Sequence, residues 1–209
     1  MKYSCIIWDW NGTLADDVEA SLNSVNDTLM RRNMPVINLN QYYSYIDTPI
    51  IRFYEHLFDL DEVPMSVLSE EFREGYQKYF QGLHAGAEEL LKEIQNQGIP
   101  QVILTSSNRE LIEGDTKRLG VRQYFDALLG AEDFQAASKV QRGIDWIKSH
   151  HHAPETMVMI GDSLHDFEVA RAMGTKCILF TGGHQAEKDL RTTGVPIVHD
   201  FDELRQMLL

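Results

Sequence analysis

Three aspartates stand where a phosphoryl group could be handled. Asp9 follows the apolar run Ser4 to Trp8 and precedes Asn11-Gly12-Thr13, while Asp162 and Asp166 lie four residues apart after the apolar run Met157 to Ile160. A carboxylate projecting from a tight turn at a strand end can attack phosphorus and form an aspartyl phosphate. Thr13 would fix that turn by hydrogen bonding, and its peptide amides, that of Gly12 included, would face the transferring oxygens. Hard carboxylate ligands from Asp162 and Asp166 converging with Asp9 suit Mg2+, which also removes the repulsion between nucleophile and incoming phosphate.

Two more segments complete that chemistry. Thr105 lies after the run Val102 to Leu104, and Ser106, Ser107 and Asn108 lead from it into a helix starting near Arg109. Hydroxyls and amides at a helix start bind phosphate oxygens. Lys139 lies just ahead of a helix from Val140, where one ammonium neutralises both nucleophile and phosphate. Each feature alone has an ordinary reading: an Asx-Gly turn, an amino-terminal cap by Ser107 or Asn108, a solvated lysine, an acidic helix cap. Their order along one chain makes them a candidate site.

The elements that must position these residues alternate. Further strand-length apolar runs occur at Ala127 to Leu129, Cys177 to Phe180 and Pro196 to Val198. Helical patterns fall between them at Ala87 to Gln97, Arg109 to Leu119, Val140 to His150 and Asp166 to Met173, three of them closed by Gly98, Gly120 and Gly174. Alternation of this kind implies a parallel sheet covered on both faces. The stretch from Asp16 to Leu83 breaks it, with helical periodicity and no convincing buried strand. Half of the chain's twenty aromatic residues lie there, from Tyr42 to Phe80, and two readings stand: a small core of the insert's own, or a lining over a substrate. The segment Leu14 to Asp17 and the glycines Gly82 and Gly86 are the expected crossings and hinges.

Composition narrows the partners. With 209 residues, 43% of them hydrophobic, the chain can bury a full core. A formal charge of -13 argues against a nucleic-acid or anionic-membrane surface, so an anionic substrate needs local help from metal, lysine and amides. Cys5 and Cys177 each sit inside an apolar run and match no zinc or disulfide spacing, as expected of buried thiols in a reducing compartment. The run Cys5 to Trp8 is far too short for a signal-peptide core and no later stretch could span a bilayer, so the expectation is a cytoplasmic protein. His150, His151 and His152 end a helix, where positive charge suits the dipole, and His184 follows a glycine pair at another strand end.

Taken together, Asp9 to Thr13, Thr105, Lys139, and Asp162 with Asp166 resemble the four motifs of the haloacid dehalogenase superfamily, over nearly the whole chain. The resemblance implies an α/β fold: a Rossmann-like parallel sheet core, residues 1–15 and 84–209, with a helical cap inserted after the first strand, residues 16–83. The insert is similar to the cap of the phosphoglycolate phosphatase and β-phosphoglucomutase branch, and the 33 residues from Ser106 to Ser138 are too few for the other common cap. The implied activity is Mg2+-dependent hydrolysis of a small phosphorylated metabolite. In such proteins Asp9 is nucleophile and ligand, the Asn11 carbonyl and Asp162 are further ligands with Asp166 in close support, and Gly12, Thr105, Ser106 and Lys139 hold the phosphoryl group.

Asn11 departs from that family pattern, in which a second aspartate protonates the leaving oxygen and then activates water. An amide has no proton to exchange in the useful range, and loss of a general acid-base group typically costs about 10²–10⁴-fold in rate. Three outcomes stay open: slow or selective hydrolysis, another acid such as His165 or a cap residue in its place, or a phosphometabolite-binding protein with little turnover. A sugar phosphomutase would lean strongly on the missing residue. Phosphonatase chemistry wants a cap lysine, and the insert offers only Lys78 near its far hinge. A dehalogenase would want a different residue at position 11 and no metal-binding acids.

Overall fold

The computed structural model describes residues 2–47, 49–131 and 138–209. The chain divides into two compact units, Met1–Ala15 with Leu83–Leu209, and Asp16–Gly82. In the first unit six parallel strands form one sheet: β1 (Cys5–Trp8), β2 (Gln101–Asn108), β3 (Ala127–Ala131), β4 (Met157–Gly161), β5 (Lys176–Phe180) and β6 (Ile197–Val198), ordered β3-β2-β1-β4-β5-β6. β1 and β4 are buried along their whole length, which is why each reads as an unbroken apolar run. The chain passes from β1 to β2 on one side and later lays β4 on the other, and that reversal opens a crevice at the carboxyl ends of the three. Register brings the ends level. Trp8 pairs with Ile103 on one side and Ile160 on the other, and the Asp9 N–H continues the ladder to the Ile160 carbonyl at 2.8 Å.

β2 runs past the expected end at Leu104. Its pairing with β3 is interrupted after Leu104 and resumes at Asn108 opposite Ala131, and this bulge re-aims the residues between them.

The second unit is helical: α1 (Val18–Met30), α2 (Leu39–Tyr45), α3 (Ile51–Glu55) and α4 (Met65–Tyr79). α1 and α4 lie side by side, close enough that a Cβ at Gly75 would sit 2.9 Å from the Ser24 backbone. Tyr42, Phe53, Tyr54 and Phe58 are buried together, with edge-on ring pairs at 5.4 Å, so the aromatics include the unit's own core. That core leaves a cavity of about 250 Å³ bordered by Val25, Phe53, Tyr54, Met65 and Phe72. Asp17, also buried, accepts a 2.8 Å hydrogen bond from the Tyr76 hydroxyl. Thr48 lies outside the described residues, and Arg52 pairs at 3.3 Å with exposed Asp47.

The remaining helices flank the sheet: α5 (Ala87–Asn96), α6 (Arg109–Arg118), α7 (Lys139–Ser149), α8 (Leu164–Met173), α9 (Glu187–Leu190) and α10 (Phe201–Leu208). Two begin earlier than the sequence suggests. Ser138 caps α7, making Lys139 its first residue rather than the one ahead of it. α8 starts at Leu164 instead of Asp166, because Ser163 and Asp166 form a reciprocal capping box. Cys5 and Cys177 are free and buried in the main core, where burial pushes both thiols up to about 12. His150 and His152 stack on the Trp146 ring at 4.6 and 5.1 Å. Among the described residues no helix is long and apolar enough to cross a membrane.

Candidate active site

The crevice at the ends of β1, β2 and β4 collects the buried charged residues described in the first unit. Asp9 leaves β1 into a turn whose Gly12 has φ of +73°, a left-handed conformation that favours glycine. Space demands glycine as well, since a Cβ there would run into the Asp162 carboxylate and the His184 ring. Thr13 ties the turn to β4, its hydroxyl donating to Asp162 at 3.0 Å. The His184 N–H donates to the other Asp162 oxygen at 2.7 Å. Asp166 accepts from Lys139 on one oxygen at 2.6 Å, and on the other from the Ser163 hydroxyl at 2.6 Å and the backbone amides of Asp162 and Ser163 at 3.2 and 3.1 Å. Lys139 also reaches Asp9, at 2.5 Å, and so bridges the two carboxylates.

Charge does not balance here. Asp9, Asp162 and Asp166 are buried, each offers a ligand oxygen within 4.8 Å of the others, and Lys139 is the one buried cation among the described residues. Three carboxylates against one ammonium leave two negative charges in a place that solvates them poorly. Burial accordingly pushes the Asp9 carboxyl up to about 8, against the pull of Lys139 and with Asp166 and Asp162 adding to the rise. Burial likewise lifts Asp162 to about 6, opposed by His184 and reinforced by Asp166. On Asp166 the same burial is outweighed by Lys139 and Ser163, which hold it below the usual carboxylate range. Lys139 in turn is kept charged by Asp166 and Asp9 despite its burial. A divalent cation fits this donor set in charge, in oxygen chemistry and in ligand spacing.

A profile of haloacid dehalogenase-like hydrolases matches residues 6–180. The chain belongs to that family. Its relatives include a 5'-nucleotidase of Pseudomonas aeruginosa, 26% identical over 213 residues that span 100% of this chain and 96% of that protein. A phosphoglycolate phosphatase of Photobacterium profundum is 23% identical over 212 residues, 95% of this chain and 93% of the relative. A solved haloacid dehalogenase-like family hydrolase of Streptococcus pneumoniae shares the fold, with a TM-score of 0.86 at 22% identity over 100% of this chain and 99% of that one. The protein is thus a haloacid dehalogenase-like hydrolase of the phosphoglycolate phosphatase-like branch, with an α/β core of the Rossmann-like kind.

In this haloacid dehalogenase-like hydrolase, Asp9, Lys139, Asp162 and Asp166 meet directly, and Gly12 packs against Asp162. Thr105 is buried within β2, next after Leu104 where the pairing with β3 is interrupted; its hydroxyl accepts from the Ser107 N–H at 3.1 Å and its carbonyl from Arg142 at 2.7 Å. Ser106 is exposed, and it is Ser107 whose hydroxyl reaches across to Asn11, donating to the side-chain oxygen at 2.6 Å. Asn108 provides the α6 cap, accepting from the Glu110 N–H at 2.8 Å. His165 is partly buried, and burial with Lys139 nearby lowers its pKa. Sequence reasoning missed the contributions of Ser107, Arg142 and the His184 N–H; a Cβ at Gly183 would collide with Asp162, so the glycine pair at 182–183 was the available signal.

Proposed function

We propose that this hydrolase is a Mg2+-dependent phosphatase that cleaves a small phosphate monoester through an aspartyl phosphate on Asp9. Asp9, Asp162 and Asp166, with the Asn11 carbonyl, are the assigned metal ligands. The ion, when bound, offsets charge on nucleophile and phosphate and lets Asp9 act ionised. Lys139 holds the transferring phosphoryl group together with Thr105, Ser106 and the Gly12 turn, and the helical unit of residues 16–83 acts as a cap that selects the leaving group and excludes water. The observation that carries this reading is the buried triad with Lys139 at 2.5 and 2.6 Å from two of its members, two negative charges in excess at a sheet switch point. Two buried free thiols suit a reducing, cytoplasmic setting, and the acidic surface suits a small metabolite rather than nucleic acid or membrane.

Phosphate release from a panel of small phosphate esters tests the proposal, with Mg2+ or with EDTA, for the natural chain and Asp9→Ala. Release that needs both the metal and Asp9 is the expected result, and cleavage undiminished by EDTA or by Asp9→Ala contradicts it. Binding of the esters without release from any of them would favour the alternative that Asn11 itself suggests, a phosphometabolite-binding protein.

A further inference from the structure

Asn11 stands two residues beyond the nucleophile on the same turn, and the 2.6 Å bond from the Ser107 hydroxyl orients its amide, oxygen toward Ser107 and the NH2 edge turned away. That edge donates hydrogen bonds but carries no proton it can give up at working pH. The carboxylates gathered nearby are committed elsewhere. Asp9 makes the bond to phosphorus, Asp162 is gripped by Thr13 and His184, and Asp166 by Lys139 and Ser163.

We infer that this site cleaves phosphoryl groups from leaving groups that depart as stable anions, namely acyl phosphates, phosphoanhydrides and phosphates of acidic hydroxyls, and discriminates against alkyl phosphates. Asn11, oriented by Ser107, is the residue that sets this limit. The inference rests on the phosphatase reading above and narrows its substrate class.

In the first step an Asp9 oxygen bonds to phosphorus while the bond from phosphorus to the leaving oxygen breaks, and the electron pair departs on that oxygen with no proton delivered. In the second, a water oxygen bonds to phosphorus, the bond to Asp9 breaks with its pair returning to the carboxylate, and the water's proton passes to the released phosphate or to bulk water. An alkyl phosphate would have to expel an alkoxide in the first step, where a missing general acid costs about 10²–10⁴-fold. A leaving group already anionic at neutral pH loses little. The second step lacks a base at position 11 whatever the substrate, so kcat converges among good leaving groups while kcat/KM, which reports the first step, keeps its dependence on them.

The test measures kcat/KM with Mg2+ for acetyl phosphate, inorganic pyrophosphate, p-nitrophenyl phosphate, phenyl phosphate and glycerol phosphate, in the natural chain and Asn11→Asp. The natural chain is expected to favour p-nitrophenyl phosphate over glycerol phosphate by about 10²-fold or more, and Asn11→Asp to raise glycerol phosphate by about 10²–10⁴-fold but p-nitrophenyl phosphate by less than about 10-fold. A natural chain indifferent to leaving-group acidity overturns the inference and leaves the phosphatase reading standing; so does a variant that changes all five equally. Because the natural chain's preference needs no variant, poor folding of Asn11→Asp does not shield the inference. Turnover of none of the five by the folded natural chain overturns the phosphatase reading, and the inference with it.

Discussion

The two units treat buried polarity in opposite ways. In the sheet unit, four charged side chains converge at the strand ends with two negative charges in excess, and the backbone supports them at Asp162 and Asp166 with amides. In the helical unit, the one buried charged residue among those described, Asp17, is answered by a Tyr76 hydroxyl, and aromatic rings fill the rest. A packed unit that satisfies its polar groups needs no ligand to be stable. A unit that holds like charges together against desolvation bears a cost, and such departures from good packing concentrate where an ion or substrate is to be bound.

The comparison breaks most visibly at Asp9. Asp9→Asn is expected to lower phosphate release by about 10⁴-fold or more while the melting temperature holds or rises, because one uncompensated buried charge is removed. A variant that keeps its activity would place the nucleophile elsewhere. Lys139→Met removes the one buried cation among the described residues and leaves three carboxylates together, for a loss of about 3–5 kcal/mol in denaturant unfolding without metal, part of it recovered with Mg2+. In the helical unit Phe53→Ala opens the aromatic core and costs about 3 kcal/mol. Below its unfolding temperature it should still release phosphate from p-nitrophenyl phosphate within about 10-fold of the natural chain, because the chemical groups all lie in the other unit. A loss as deep as that of Asp9→Asn would mean that the helical unit supplies chemistry too.

The smallest expected effect sharpens the same contrast through pH. Asp9 and Asp162 have folded-state pKa values near 8 and 6, above their unfolded value, so the folded state binds more protons between. Stability of the metal-free protein therefore falls as pH rises through that window. Asp166, shifted down, gives up its contribution only below the usual carboxylate range, outside this window. Thermal melts in EDTA should move downward from about pH 5 to about pH 8, by on the order of 2–4 °C for each kcal/mol lost, and Mg2+ should restore more at the upper end.

Much of the sheet was legible because strands buried on both faces must be apolar without interruption, and because acids at the ends of such runs have few structural uses. The same logic exposed Asp9, Asp162 and Asp166, and the order of motifs exposed Lys139. What escaped depends on partners distant in sequence. Ser107 rather than Ser106 meets Asn11 because of the β2 bulge, which exists only once β3 pairs. The hold of His184 on Asp162 comes through a backbone N–H, and its one trace in the sequence is the glycine pair at 182–183, where a Cβ at Gly183 would meet Asp162. Two misses had local signals: Ser163 with Asp166 three residues on marks the true start of α8, and Asp200 with Glu203 marks the start of the unforeseen α10.

The central claim is that Asp9 carries the phosphoryl group, and it can be read directly. The natural chain with Mg2+ and acetyl phosphate is quenched in acid during turnover, and its peptides are mapped by mass. The account predicts a phosphoryl adduct on the peptide containing Asp9, built up because Asn11 leaves its hydrolysis without a general base, and absent after chase, in EDTA and in Asp9→Asn. Sustained phosphate release with no such adduct, or with the adduct on another residue, would contradict it.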